Sequence, residues 1–297
     1  MNRLTRIVVD TSTYLLMFLF IQLFCLAPAQ LASANMSLTP WTMGLSMLAS
    51  SVITVAFYWW RNWWKEDKAD VTTVSWLVYV LIVFLAISSF LPSMGLLEML
   101  GVEANEQQER IMMDIISSPF GFIVIALLVP LAEEVVFRGS ILRALLEYFK
   151  TNKKIENAKG LKAKDGVWLS IIISSMLFGT VHGNLAQFIH ATLLGILLGW
   201  LYTKTKTILP GVFLHLLNNG IAFLLVKIDP SNNDAKLIDM FGGNEVTMWL
   251  SVAISIAVLL LCLRMLAVFF KYSSMTEETL TRLNEEENID IEQEYVK

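Results

Sequence analysis

Leu127-Leu128-Val129-Pro130-Leu131-Ala132-Glu133-Glu134-Val135-Val136-Phe137-Arg138 lies in the middle of an apolar run over 119–145. Such a run is long enough to cross a bilayer, which takes roughly 20 residues. Two adjacent carboxylates and an arginine are expensive in hydrocarbon, so a membrane segment keeps them only with partners, and usually for function. Glu134 and Arg138 are four apart on a helix and can pair. Glu133 points about 100° away from Glu134 and is left to meet another element. A buried ion network that merely holds helices together would not need this second acid.

The composition agrees with a membrane setting. The 297 residues are 56% hydrophobic and 16% charged, with mean hydropathy +0.61. A soluble domain is roughly 45–50% apolar and about 25% charged. There is no basic stripe with interleaved aromatics, so nucleic acid is not expected as a partner. Cys25 and Cys262 sit in opposite terminal apolar segments without a metal or disulfide pattern and read as packing residues. Ala32-Ser33-Ala34 resembles a signal-peptidase site, but the preceding run reads better as a first transmembrane helix.

Hydropathy predicts an all-α polytopic membrane protein of about eight transmembrane helices, near 11–33, 41–60, 72–92, 119–145, 166–184, 186–204, 208–227 and 247–271. Four of them, over 119–227, form the expected catalytic core. Residues 1–118 supply N-terminal helices and an acidic external loop, 228–272 a last loop and helix, and 273–297 an acidic cytoplasmic tail. Pro130 predicts a kink, which either opens a polar pocket or only improves packing. Lys and Arg gather on alternate linkers, which places both termini in the cytoplasm. Arg61, Lys65 and Lys68 mark the second linker, and Lys150, Lys153, Lys154, Lys159, Lys162 and Lys164 the fourth. The third is acidic, with Glu98, Glu103, Glu106, Glu109 and Asp114. Tryptophans near span ends, including Trp59, Trp60, Trp63 and Trp64, read as an interfacial belt. The glutamate-rich tail reads as a short solvated helix or disorder.

Two more polar pairs lie in later spans. Phe178 and His182 share a helical face, and Gly179 and Gly183 allow close approach. His215 and Asn219 share another, and both can donate toward one point, as an oxyanion on an attacked carbonyl requires. Asn218 is the alternative amide. The bland reading of these groups is interhelical glue, worth about 1 kcal/mol each. His190 has no polar neighbour one turn away, and Gly195 and Gly199 mark its helix as a packing element.

Glu-Glu-x-x-x-Arg at 133–138, Phe-x-x-x-His at 178–182 and His-x-x-x-Asn at 215–219, in this order, resemble the motifs of the CAAX protease and bacteriocin-processing (Abi) family. The stretch from Gly199 through Leu209-Pro210-Gly211 to His215 is similar to its bacterial branch. The resemblance covers about 119–227. It implies an intramembrane endopeptidase of glutamic type in a prokaryotic cytoplasmic membrane. Glu133 and His182 would activate a water, with Glu133 as general base. His215 and Asn219 would stabilise the oxyanion, and Glu134, Arg138 and Phe178 would support the site. A carboxylate withdrawn from water is a stronger base, which suits that role. Ser140, Ser174 and Ser175 carry no serine-protease signature.

No metal is favoured. A divalent ion such as zinc, if used, would take Glu133, His182 and His215, a His₂Glu set; His-Glu-x-x-His itself is missing from the sequence. The expected partners are the bilayer and a peptide or membrane-protein substrate. The rival readings are a non-catalytic scaffold, as a regulator of a sensor kinase or in bacteriocin immunity, and a transporter with Glu133 in a proton relay. One mismatch stands at this level. Counted by helix rise, His215 lies ~12 Å from the cytoplasmic end of its span and His182 ~24 Å from that of its own.

Overall fold

A computed structural model describes residues 2–33, 40–64, 74–101, 106–151, 163–228 and 236–295. Among the described residues every regular element is helical. The order is α1 (Arg3–Ser33), α2 (Pro40–Trp60), α3 (Trp76–Met99), α4 (Glu106–Ser117), π1 (Ile123–Leu128), α5 (Val129–Val136), π2 (Phe137–Leu142) and α6 (Arg143–Thr151). Then follow α7 (Ala163–Thr180), α8 (Leu185–Thr205), α9 (Leu209–Ile228), a 3₁₀ turn (Asp239–Phe241) and α10 (Glu245–Tyr295). In hydrocarbon a chain must satisfy its own backbone groups, and helices do this within one segment.

Six of these helices are long and apolar enough to cross a membrane: α1, α2, α3, α8, α9 and α10. The other two expected spans are the unusual ones. The fourth is the composite π1–α5–π2–α6, and α7 contributes only a shorter apolar stretch, Asp165–Thr180. These two carry Glu133, Glu134, Arg138 and Phe178. The polarity of the protein is inverted relative to a soluble one. Glu134 and Arg138 are buried, while Leu16, Phe20, Phe24, Trp59, Phe84 and Leu260 are exposed. Exposed apolar bodies around buried charge are what lipid as solvent selects.

One apolar core joins α1, α2, α3, the composite helix, α7, α8, α9 and α10, through residues such as Phe18, Tyr58, Leu85, Phe137, Phe178, Leu198 and Leu266. The first helix is therefore an integral wall of the bundle, with the Tyr58 hydroxyl donating to the Tyr14 carbonyl. Helices α7 and α8 form a close pair across a tight turn at Gly183 (φ 77°), capped by Asn184, whose Oδ1 accepts from the Gln187 N–H at 2.7 Å. Small residues set their separation. A Cβ on Gly195 would lie 3.0 Å from the Ser175 Cβ, one on Gly199 3.1 Å from the Ile171 side chain, and one on Gly179 would strike the Thr192 hydroxyl.

Several boundaries differ from the sequence reading. Helix α3 runs through Pro92 to Met99, and the third linker, read as a loop, contains α4, whose Ile115 and Ile116 pack with Met43, Val124 and Phe223. The tail continues α10 as helix to Tyr295. Trp59 and Trp60 are exposed as an interfacial belt requires. Trp63 and Trp64 instead turn inward: the Trp63 carbonyl accepts from Ser140 Oγ (3.0 Å) and Arg143 Nη2 (2.8 Å), and Trp64 lies against Gly139. Lys65, Lys68, Lys153, Lys154, Lys159, Lys162 and Glu103 lie outside the described residues.

The depth mismatch between His182 and His215 disappears in three dimensions. Both rings lie against the Phe178 ring, at 5.0 Å for His182 and 5.7 Å for His215, which brings the two histidines to one place. Rise counted along each helix separately therefore does not fix their relative position.

Candidate active site

Pro130 reorganises the helix that carries the acids. In π1 the Val129 N–H bonds the Val124 carbonyl, five residues back. In the same register residue 130 would serve the Ile125 carbonyl, but proline has no N–H. That carbonyl is taken up from another helix: Asn219 Nδ2 donates to it at 3.2 Å. The expected kink is thus expressed as a change of hydrogen-bond register. A second π segment follows the acids, where the Arg143 N–H reaches the Arg138 carbonyl.

Between the two π segments, α5 presents Glu133 and Glu134 to a single imidazole. His215 Nδ1 lies 3.2 Å from Glu134 Oε1, and His215 Nε2 lies 3.6 Å from Glu133 Oε2. Glu134 Oε1 also accepts from Arg138 Nη1 at 2.7 Å, and Arg138 Nη2 donates to the Gly195 carbonyl at 3.1 Å. The result is a buried row, Arg138–Glu134–His215–Glu133. Its side-chain exposures are 1%, 0%, 3% and 12%, so accessibility rises at the Glu133 end. Glu134 accepts at Nδ1, which leaves the His215 Nε2 atom turned toward Glu133.

Phe178 is the hub of the apolar side. Its ring lies 4.5 Å from Arg138 Cζ, 5.0 Å from the His182 ring and 5.7 Å from the His215 ring. His182 Nδ1 sits 2.8 Å from the Phe178 carbonyl. A carbonyl only accepts, so Nδ1 carries the proton and the neutral ring has its lone pair on Nε2. Gly211 completes the enclosure, since a Cβ there would lie 3.0 Å from Glu134 Oε2.

Glu133, Glu134, Arg138, Phe178, His182 and His215 are therefore brought together. Asn219 stands differently from expectation. It hydrogen-bonds Ile125 and Asn218 and not the four-residue row. Sequence reading also missed the Gly195 carbonyl, Gly211 and Ser93, which lies 2.7 Å from His190 Nδ1. Only Pro130 offered a signal for one of these contacts, since a proline in a helix leaves a carbonyl to be claimed. Among the described residues no three His, Cys, Asp or Glu side chains are grouped as a metal site.

Fold and site together define a polytopic helical membrane protein with a carboxylate–histidine centre buried among its spans. Residues 115–221 match the family model described as "Type II CAAX prenyl endopeptidase Rce1-like". The chain is also 29% identical over 134 residues to the Bacillus subtilis (strain 168) protein named "Putative membrane peptidase YdiL", covering 45% of this chain and 48% of that one. The match thus spans about half the length of the relative. No solved structure matches. The segment 115–221 is thus similar to CAAX-type membrane endopeptidases.

Proposed function

We propose that the protein is an intramembrane endopeptidase that hydrolyses peptide bonds of membrane-associated peptides or proteins. The observation that carries this reading is the buried row ending in Glu133, the one acid of the site with measurable exposure, inside the family-matched segment. Glu133 serves as general base. It takes a proton from a water that His182 Nε2 helps to hold, and the water oxygen bonds to the substrate carbonyl carbon. His215 and Asn219 stabilise the resulting oxyanion. The C–N bond then breaks, and Glu133 returns its proton to the leaving amine. Glu134 orients His215, and Arg138 balances Glu134. Loop charge supports placing both termini inside, and similarity to a bacterial membrane protein supports a prokaryotic cytoplasmic membrane.

The test compares membrane peptides from cells expressing the wild-type protein and Glu133→Gln. The expected result is one or more cleavage products that only the wild type makes. Identical peptide sets, with both proteins present in the membrane, would replace the protease reading by a scaffold.

A further inference from the structure

The third histidine has no part in that mechanism, yet it is fully engaged. His190 Nδ1 lies 2.7 Å from Ser93 Oγ on α3, and His190 Nε2 lies 3.3 Å from Asn218 Nδ2 on α9. Asn218 Nδ2 also donates to Asn219 Oδ1 at 3.2 Å, and Asn219 Nδ2 to the Ile125 carbonyl at 3.2 Å. Five groups from four helical segments thus form one continuous chain.

The direction of every bond in it follows from its last member. The Ile125 carbonyl can only accept, so Asn219 must meet it with Nδ2. Asn219 Oδ1 then faces Asn218 and can only accept. Asn218 must therefore present its NH₂, which has two hydrogens. One goes to Asn219 and the other to His190 Nε2. That nitrogen must carry a lone pair, so the His190 proton sits on Nδ1 and is donated to Ser93. Packing alone does not hold these groups. Ser93, His190 and Asn218 border a cavity of about 330 Å³ otherwise lined by residues such as Leu96, Leu193 and Leu259. A side chain beside open space keeps its orientation through hydrogen bonds.

We propose that Ser93, His190 and Asn218 are positioning residues that lock the Asn219 amide with its N–H₂ end toward π1, so that its second hydrogen is the one given to the oxyanion. A flipped Asn219 would oppose two acceptors at Ile125 and two donors at Asn218. The proposal deepens the endopeptidase reading and rests on it for the role of Asn219. Ser93 lies on α3, outside the family-matched segment, so the relay ties a flanking helix to the core.

The chain has three histidines. Full-length protein labelled with ¹⁵N-histidine in micelles gives three imidazole signals, and His190→Gln assigns the third. The expected spectrum has neutral His190 protonated on Nδ1, with that signal moved in Ser93→Ala and Asn218→Ala. Proton on Nε2, or a cationic ring at neutral pH, overturns the relay whether or not the protein cleaves peptides. On the product found in the Glu133→Gln comparison, Ser93→Ala and Asn218→Ala should each lower kcat by roughly 3- to 10-fold, the rate equivalent of one neutral hydrogen bond. KM should hold, and Ser93→Thr, which keeps the hydroxyl, should restore the rate. Unchanged kcat in both alanine variants, or a change in KM alone, would remove the positioning role while leaving the Glu133 result intact.

Discussion

Arg138→Met removes the only guanidinium of the buried row. Glu134 is left with 0% exposure and His215 as its remaining partner in that row. Breaking a buried pair by deleting one member costs ~3–5 kcal/mol, because the remaining charge is uncompensated. The Gly195 carbonyl loses its Arg138 donor and Phe178 loses a cation at 4.5 Å. These losses overlap with the first, so the expected destabilisation stays at about 3–5 kcal/mol. Total stability of a domain is only ~5–15 kcal/mol, which makes the effect large. Adding Glu134→Gln removes the stranded charge yet keeps an acceptor for His215 Nδ1. The double variant should recover at least ~2 kcal/mol relative to Arg138→Met alone. Unfolding in mixed micelles, followed by the fluorescence of the nine tryptophans, measures both. A double variant no more stable than the single one would show that Glu134 and Arg138 do not act as a pair.

Glu133→Gln should keep the fold and lower cleavage by at least ~100-fold, the lower end of a general-base contribution; residual activity within ten-fold of wild type would exclude Glu133 as the base. Prolonged chelation should leave cleavage unchanged, and a loss restored by zinc would install the metal-bound alternative at Glu133, His182 and His215. Gly179→Ala should destabilise by ~1–3 kcal/mol, because its Cβ would meet Thr192 and the Phe188 carbonyl. Gly220→Ala is the matched control: the nearest atom to its Cβ is 3.7 Å away, so it should be neutral or stabilising by up to ~1 kcal/mol in the same assay. Asn219→Ala should cost ~1–3 kcal/mol by orphaning the Ile125 carbonyl, and measurably less in a Pro130→Ala background, where residue 130 regains its N–H. Strict additivity of those two changes would break the link between them.

The helical membrane architecture was legible because lipid imposes a simple rule on composition and length. The Glu134–Arg138 pair was legible because four residues on one helix become neighbours whatever surrounds them. Gly195 and Gly199 declared close packing in the same way, through a local spacing. What could not be read were contacts decided by the relative depth of helices. His182 and His215 meet at the Phe178 ring although rise counted along their own helices sets them apart. His190 looked unpartnered because its partners, Ser93 and Asn218, lie far from it in the chain. Asn219 was read beside His215, and only the π register of the proline-bearing segment explains why it turns to Ile125.

A π turn amounts to one extra residue accommodated in a helix without a loop. The acid pair sits between two such insertions. Straightening 123–128 into an unbroken α-helix at unchanged length would swing everything beyond it by about 100°. Glu133 and Glu134 would leave His215 and face elsewhere, with every motif residue still present. The π register therefore aims the carboxylates, and a change that straightens it without altering the length should be as damaging as losing Glu133.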